Sequence, residues 1–131
     1  MWHEIKNLKH SDSEEISANI QVPPNSPWFN GHFPEEPILP GIAQLSIIFD
    51  AIRLSTSQNM RICGVRRIRF KQLIKPNDQL HIVITPQKDL PGSYAFRIMV
   101  AEELVTSGII MVETRKSDGG KTSAGQVRLS E

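Results

Sequence analysis

An apolar segment begins directly after Pro40 and runs to Leu54, and the rest of the fold has to accommodate it. Apolar residues cover most of the circumference of a helix here, at positions 42, 43, 45, 47, 48, 49, 51, 52 and 54. Proline is tolerated at a helix start, and Ser55-Thr56-Ser57 suits its end. The pattern predicts a helix over 40–54 that is buried on nearly all sides. Four polar interruptions make it too polar to span a bilayer.

The remaining chain reads as β-strands separated by turn residues. The predicted strands cover 15–22, 61–71, 79–85, 94–101 and 105–113. One early helix followed by a long antiparallel run predicts an α+β fold in which the sheet curls around the helix. With 131 residues and 39% hydrophobic content, the chain fits one domain over 1–116. The remainder, 117–131, lacks periodicity and is predicted to be a disordered tail.

Composition excludes several classes of function. The net charge is +1, which argues against a dominant polyanion partner. No nucleic acid is expected, because the chain has no extended basic excess and few aromatic residues lie among its basic ones. A lone Cys63 cannot form an internal disulfide, and the polar first residues do not resemble a signal peptide. We therefore expect a cytoplasmic protein without membrane insertion. The four histidines have no metal-site spacing, so neither a metal nor another cofactor is predicted.

The loop before the helix is stiff and contains one histidine. Six prolines, at 23, 24, 27, 34, 37 and 40, restrict its backbone. His32 can simply pack or cap in this loop. It can also act as a base near neutral pH, beside helix-start N–H groups at Pro40-Gly41 that can polarise a carbonyl.

The polar residues of the helix form one narrow stripe. Ser46, Asp50 and Arg53 fall within about 60° of one another on a helix, whereas Gln44 lies well away. The stripe has two readings. Asp50 and Arg53 form an i,i+3 ion pair on an exposed edge, or the stripe lines an active-site cleft.

The loop and the helix start resemble a known family. The sequences Gly31-His32-Phe33-Pro34 and Pro37-Ile38-Leu39-Pro40-Gly41 are similar to the signature of the β-hydroxyacyl-acyl-carrier-protein dehydratases. The likeness extends over about 14–114 and includes Lys75-Pro76-Asn77-Asp78. It implies the hotdog fold, in which an antiparallel sheet wraps one long central helix. It also implies a dimer, or an assembly of dimers, with acyl tunnels at the subunit interface.

The resemblance assigns roles residue by residue. It implies that His32 is the catalytic histidine, that the N–H of Gly41 binds the thioester carbonyl, and that Phe33, Pro40 and Ile42 contact the substrate. The family's carboxylate comes from the partner subunit, and at its position this chain has Ser46. A serine has no comparable acidity.

Three substitutes for that carboxylate are open. Asp50, one turn further along the helix, acts instead; Ser46 holds a water while His32 makes both proton transfers; or a carboxylate-bearing homologue completes the site in a heterodimer.

We expect a dehydratase-like lyase acting on β-hydroxyacyl thioesters in fatty-acid, lipid or polyketide biosynthesis. The alternatives are a non-catalytic subunit that binds acyl thioesters or acyl-carrier protein and, third, a hotdog thioesterase that uses Asp50.

The segment 61–75 contains six basic residues and no acidic one. Alternation along a strand puts only some of them on one side, so a solvated strand face explains them. The sharper hypothesis is a docking surface for acidic acyl-carrier protein, formed by Arg66, Arg67, Arg69 and Lys71.

Overall fold

The computed structural model describes residues 2–30 and 37–115. These residues form one α-helix, a 3₁₀ turn at Pro27–Phe29 and six strands. The strands are β1 (Glu4–His10), β2 (Ile16–Gln21), β3 (Met60–Phe70), β4 (Gln79–Pro86), β5 (Ser93–Val100) and β6 (Glu103–Thr114), and the helix is α1 (Gly41–Thr56). The predicted helix and the five predicted strands are confirmed to within two residues at each end, whereas β1 was not predicted. The tail prediction lies outside the described residues.

The six strands form one antiparallel sheet. Their order is β1-β2-β4-β5-β6-β3, so the sheet edges are β1 and β3. The long hairpins β4–β5 and β5–β6 form its centre. The β1 edge carries a register shift between Lys6 and Lys9, and Asn7 has a φ of 55° there. Irregularities of this kind are common on edge strands, where they limit further pairing.

One face of α1 packs on the sheet. The core combines residues of that face with inward side chains of the strands, among them Ile16, Ile82, Ile84, Phe96, Ile98 and Ile110. The buried residues of α1 are Ala43, Gln44, Ile47, Ile48, Ala51 and Ile52.

The prediction that nearly all sides of the helix are buried is wrong for this chain by itself. Ile42 is 70% exposed and Leu54 is 49% exposed. The sequence pattern counts both as core because it registers apolar character, not what covers it. The outward face of α1 is thus part apolar and part polar.

The ends of α1 follow from local chemistry. Pro40 is the N-cap residue, and its extended backbone (ψ 159°) starts the helix at Gly41. At the other end Ser57 adopts a left-handed conformation and donates its N–H to the carbonyl of Arg53 at 2.9 Å. Such a left-handed residue is a common helix stop. In the described part of the chain, no helix is both long and apolar enough to cross a membrane.

Candidate active site

The start of α1 presents N–H groups that no side chain caps. Pro40 makes no side-chain cap hydrogen bond, and its carbonyl accepts the N–H groups of Ala43 and Gln44 at 3.0 and 3.1 Å. The first N–H groups of a helix have no partner within the helix. Together with the positive end of the helix dipole, they suit a carbonyl oxygen that gains negative charge during a reaction.

Gly41 lies against the aromatic ring of Phe70. A Cβ atom on Gly41 would stand 2.8 Å from Cζ of Phe70, closer than side chains tolerate. Phe70 ends β3 and is 53% exposed, so its ring stands beside the helix start and still reaches solvent. Glycine therefore allows the ring to approach the backbone of the first turn. The segment Arg69-Phe70-Lys71 is also similar to the family's strand motif, but no sequence pattern predicts the contact of Phe70 with Gly41.

The buried side chain of Gln44 fastens the helix start to the sheet. Its amide donates to the carbonyl of Leu39 at 3.1 Å and accepts the hydroxyl of Thr106 at 2.6 Å. Leu39 also donates its N–H to Ile74 at 2.7 Å. Leu39, two residues before Gly41, is thus fixed by hydrogen bonds to both Gln44 and Ile74. This role of Gln44 was not predicted from the sequence, although a lone amide on an apolar helix face needs such partners.

Ser46 is half-buried on the outward face of α1. It lies about 7.5 Å along the helix axis from Gly41, given a rise of about 1.5 Å per residue. Among the residues that the structure describes, no side-chain hydrogen bond involves Ser46.

Asp50, one turn further along the same face, is held by two side chains. Its Oδ1 accepts Arg53 Nη2 at 3.4 Å, so the predicted i,i+3 pair is confirmed. Its Oδ2 is 3.0 Å from Nε2 of His3, a contact that sequence analysis missed. His3 and Asp50 are 47 residues apart, and no local pattern reveals the contact.

His3 extends this contact to the 3₁₀ turn. The indole N–H of Trp28 donates to Nδ1 of His3 at 3.4 Å. Trp2 packs edge-on against Trp28, with ring centroids 4.6 Å apart. Ser26 donates its hydroxyl to the carbonyl of Trp2 at 2.7 Å. Residues 2 and 3 are thereby joined both to this turn and to α1.

The remaining predicted site residues are placed in part. His32 and Phe33 lie outside the described residues. Pro40 is half-buried at the N-cap, and Ile42 is largely exposed beside it. The four proposed docking residues, Arg66, Arg67, Arg69 and Lys71, are all exposed on β3 or just after it. Arg67 has a φ of 55° within an irregularity of the β3–β6 pairing, so strict alternation fails there. Over residues 2–30 and 37–115, no cluster of side chains has the composition of a metal site.

Comparisons with known proteins show which family this chain belongs to. Residues 8–109 match the family model described as ApeI-like, ApeI dehydratase. The 3-hydroxyacyl-acyl-carrier-protein dehydratase FabZ of Shewanella woodyi is 32% identical over 120 residues, which cover 83% of this chain and 79% of that protein. This chain belongs to the ApeI-like dehydratase family, related to FabZ.

Solved structures agree on the fold. A chain of the dehydratase heterocomplex ApeI:P from Xenorhabdus doucetiae superposes with a TM-score of 0.76 at 21% identity, covering 88% of this chain and 100% of that one. An uncharacterized protein from Erwinia carotovora subsp. atroseptica gives a TM-score of 0.70 at 28% identity, covering 85% and 93%. The antiparallel sheet with one long helix is the hotdog fold, as predicted.

Proposed function

We propose that this protein acts on β-hydroxyacyl thioesters of acyl-carrier protein as a dehydratase-like lyase, in fatty-acid or related lipid or polyketide biosynthesis. Its FabZ relative is named for a 3-hydroxyacyl-acyl-carrier-protein substrate. The observation that carries the proposal is the start of α1, where the uncapped first turn at Gly41 lies beside the ring of Phe70. A polar N–H site next to an apolar ring suits a thioester carbonyl on an acyl chain.

In the proposed reaction the N–H of Gly41 stabilises the negative charge that develops on the thioester oxygen. His32 removes a proton from the carbon next to the carbonyl. The electron pair of that C–H bond forms the carbon–carbon double bond, and the β-hydroxyl leaves. That hydroxyl takes up a proton and departs as water. Ser46 holds a water near the leaving group, and the proton comes from His32.

Hydration of an enoyl thioester on acyl-carrier protein tests the proposal, because loss of the conjugated double bond lowers ultraviolet absorbance. We expect wild type to turn over and His32→Ala to lose about 10² to 10⁴ in rate, as for loss of a general acid–base residue. His10→Ala is the matched histidine control and should keep wild-type activity. Equal rates for wild type and His32→Ala would contradict the proposed role of His32.

A second candidate is a subunit that supplies only part of the site. The resemblance implies that Ser46 takes the position of the family's carboxylate, and a serine side chain offers no acidic proton. ApeI:P from Xenorhabdus doucetiae is a dehydratase heterocomplex, which is a precedent for an assembly of two different subunits. The exposed apolar residues Ile42, Ile62 and Val65 would suit a homodimer or a heterodimer contact.

Ser46→Glu discriminates between the two candidates. If the chain lacks only its acid, wild type is inactive alone and Ser46→Glu gains measurable hydration. If the chain acts by itself through a water, wild type already turns over. Absence of turnover in both would contradict the dehydratase proposal and favour a binding role. The thioesterase alternative ranks lower, since both oxygens of Asp50 already accept hydrogen bonds.

The exposed basic residues of β3 are the proposed docking surface for acyl-carrier protein. Their support is their exposure and shared sign of charge, which would attract an acidic partner. Reversal of charge in Arg66→Glu/Arg67→Glu should weaken binding of acyl-carrier protein and flatten its dependence on salt. Lys9→Glu/Lys88→Glu, which changes the same total charge elsewhere, is the control. Similar losses in both double variants would contradict a local docking surface.

A further inference from the structure

A chain of side-chain hydrogen bonds joins three separate parts of the molecule. The indole N–H of Trp28, in the 3₁₀ turn, donates to Nδ1 of His3 at 3.4 Å, and Nε2 of His3 lies 3.0 Å from Oδ2 of Asp50 on α1. The side chain of His3 is only 10% exposed, and that of Asp50 is 31% exposed. The link is therefore largely shielded from solvent, unlike an ordinary surface pair.

Elementary hydrogen-bond chemistry fixes the direction of this chain. An indole N–H can only donate, so Nδ1 of His3 must be the acceptor and carry no proton. The proton of the neutral ring then resides on Nε2, which donates to the carboxylate of Asp50. Since Arg53 donates to the other oxygen of Asp50, the contacts occupy both ring nitrogens and both carboxylate oxygens.

Because hydrogen bonds involve both ring nitrogens of His3 and both carboxylate oxygens of Asp50, this pair differs from a catalytic carboxylate–histidine pair. In a catalytic carboxylate–histidine pair the second ring nitrogen faces the group whose proton it takes. In His3 that nitrogen accepts a hydrogen bond from the indole N–H of Trp28, a group too weakly acidic to give up its proton to imidazole at neutral pH. His3 and Asp50 are therefore arranged to hold position, and not to transfer protons to a substrate.

The link holds the turn Pro27–Phe29, which precedes His32 in the sequence. Trp28 precedes His32 by four residues in the sequence, and Asp50 follows Ser46 by one helical turn. The hydroxyl of Ser26 caps the same turn, accepting the N–H of Trp28 at 3.2 Å while donating to the carbonyl of Trp2. The first residues of the chain thus brace the turn Pro27–Phe29 against the helix face that carries Ser46.

We propose that His3 is a positioning residue for the dehydratase reaction, acting through Trp28 and Asp50 to set the turn Pro27–Phe29 against α1. The inference rests on the proposed function for its effect on turnover. It assigns Asp50 a role as hydrogen-bond acceptor, in place of the general acid that the sequence suggested. A carboxylate is not essential for that role, because an amide oxygen can accept the same N–H.

Matched variants test the proposal. They are made in the wild-type chain or, if only the Ser46→Glu protein turns over, in the Ser46→Glu chain. We expect His3→Ala to lower kcat about ten- to a hundredfold with little change in KM, as displaced catalytic groups do. His3→Gln, whose amide can still donate to Asp50, should lose less. Asp50→Asn should likewise retain more of kcat than Asp50→Ala. The control is His10→Ala, which removes an exposed histidine 3.1 Å from Glu14.

Two kinetic results would overturn the proposal. One is a kcat for His3→Ala equal to that of the His10→Ala control, with both proteins folded. The other is an Asp50→Asn variant as impaired as Asp50→Ala, because the carboxylate itself would then be needed. Thermal unfolding of each variant identifies any loss of kcat that comes from unfolding.

Nuclear magnetic resonance tests the link without any turnover. The ¹⁵N shifts of His3 should report a protonated Nε2 and an unprotonated Nδ1. The indole N–H signal of Trp28 should move in His3→Ala and stay in place in His10→Ala. If no form of the protein turns over, the dehydratase proposal fails. The opposite tautomer, or an unmoved Trp28 signal, would overturn the positioning role independently.

Discussion

Ser46 and Asp50 lie one turn apart on the same face of α1 but have different surroundings. Asp50 accepts hydrogen bonds from His3 and Arg53, which tie it to the start of the chain and to its own helix. Within the described residues, Ser46 takes part in no side-chain hydrogen bond. Polar character on a helix face therefore does not by itself mark a reactive group. Asp50 contributes to holding the fold, whereas Ser46 has no side-chain partner among the described residues.

Gln44 lies on the buried face of α1, and its substitution should show the largest effect on stability. Its side chain is 4% exposed and pairs with Leu39 and Thr106. Gln44→Met keeps a similar size but leaves the carbonyl of Leu39 and the hydroxyl of Thr106 without that partner. We expect a loss of about 3 kcal/mol in the free energy of unfolding, measured by denaturant titration.

The companion double variant makes this prediction specific. Gln44→Met combined with Thr106→Val removes donor and acceptor together, so part of the lost stability should return. Purely additive losses would indicate that packing, and not the hydrogen bond between these two side chains, accounts for the effect.

Asp50 should show the second largest effect. Asp50→Ala leaves the N–H of His3 without its acceptor in a largely buried place, which we expect to cost about 1.5 kcal/mol. Arg53→Ala removes only the exposed partner of Asp50 and should cost less than about 0.5 kcal/mol. Denaturant titration of both variants checks the difference. Equal losses would mean that the Arg53 pair, and not the contact with His3, dominates at this position.

Ser46 should show the smallest effect on stability. Ser46→Ala removes a half-buried hydroxyl without a described partner, so the change should stay within about 0.5 kcal/mol. The same variant should slow hydration if Ser46 holds a water in the proposed reaction. A stability loss as large as that of Asp50→Ala would show that Ser46 also supports the fold and would remove the difference between the two positions.

Much of the fold was predictable because its signals are local. Pro40 indicates where the helix begins, and the density of apolar residues after it indicates α1. Turn residues separate four of the strands. β1 was not predicted because it is an irregular edge strand whose residues are mostly exposed, so it lacks an alternating apolar pattern. Ile5 packs against the core. The burial of α1 was overestimated because a sequence cannot show whether an apolar residue such as Ile42 has a covering partner.

The candidate site was predictable only where a motif carries it. The resemblance indicated the helix start at Gly41, and the family comparisons agree with that resemblance. The roles of His32, Ser46 and the basic residues of β3 remain proposals. The contacts Gln44–Thr106 and His3–Asp50 join residues 62 and 47 positions apart, and depend on how the sheet folds over α1. Helical or strand periodicity gives no information about contacts between residues so far apart in the sequence.

The engagement of Trp2 and His3 affects how the protein is best produced for these measurements. A purification tag or fluorescent fusion placed directly before Trp2 would crowd a residue whose ring packs on Trp28 and whose carbonyl accepts Ser26. We expect such a fusion to loosen the turn Pro27–Phe29 and to lower activity even with every proposed catalytic residue intact. A tag joined through a cleavable linker, removed before assay, avoids mistaking an artefact of cloning for an inactive enzyme.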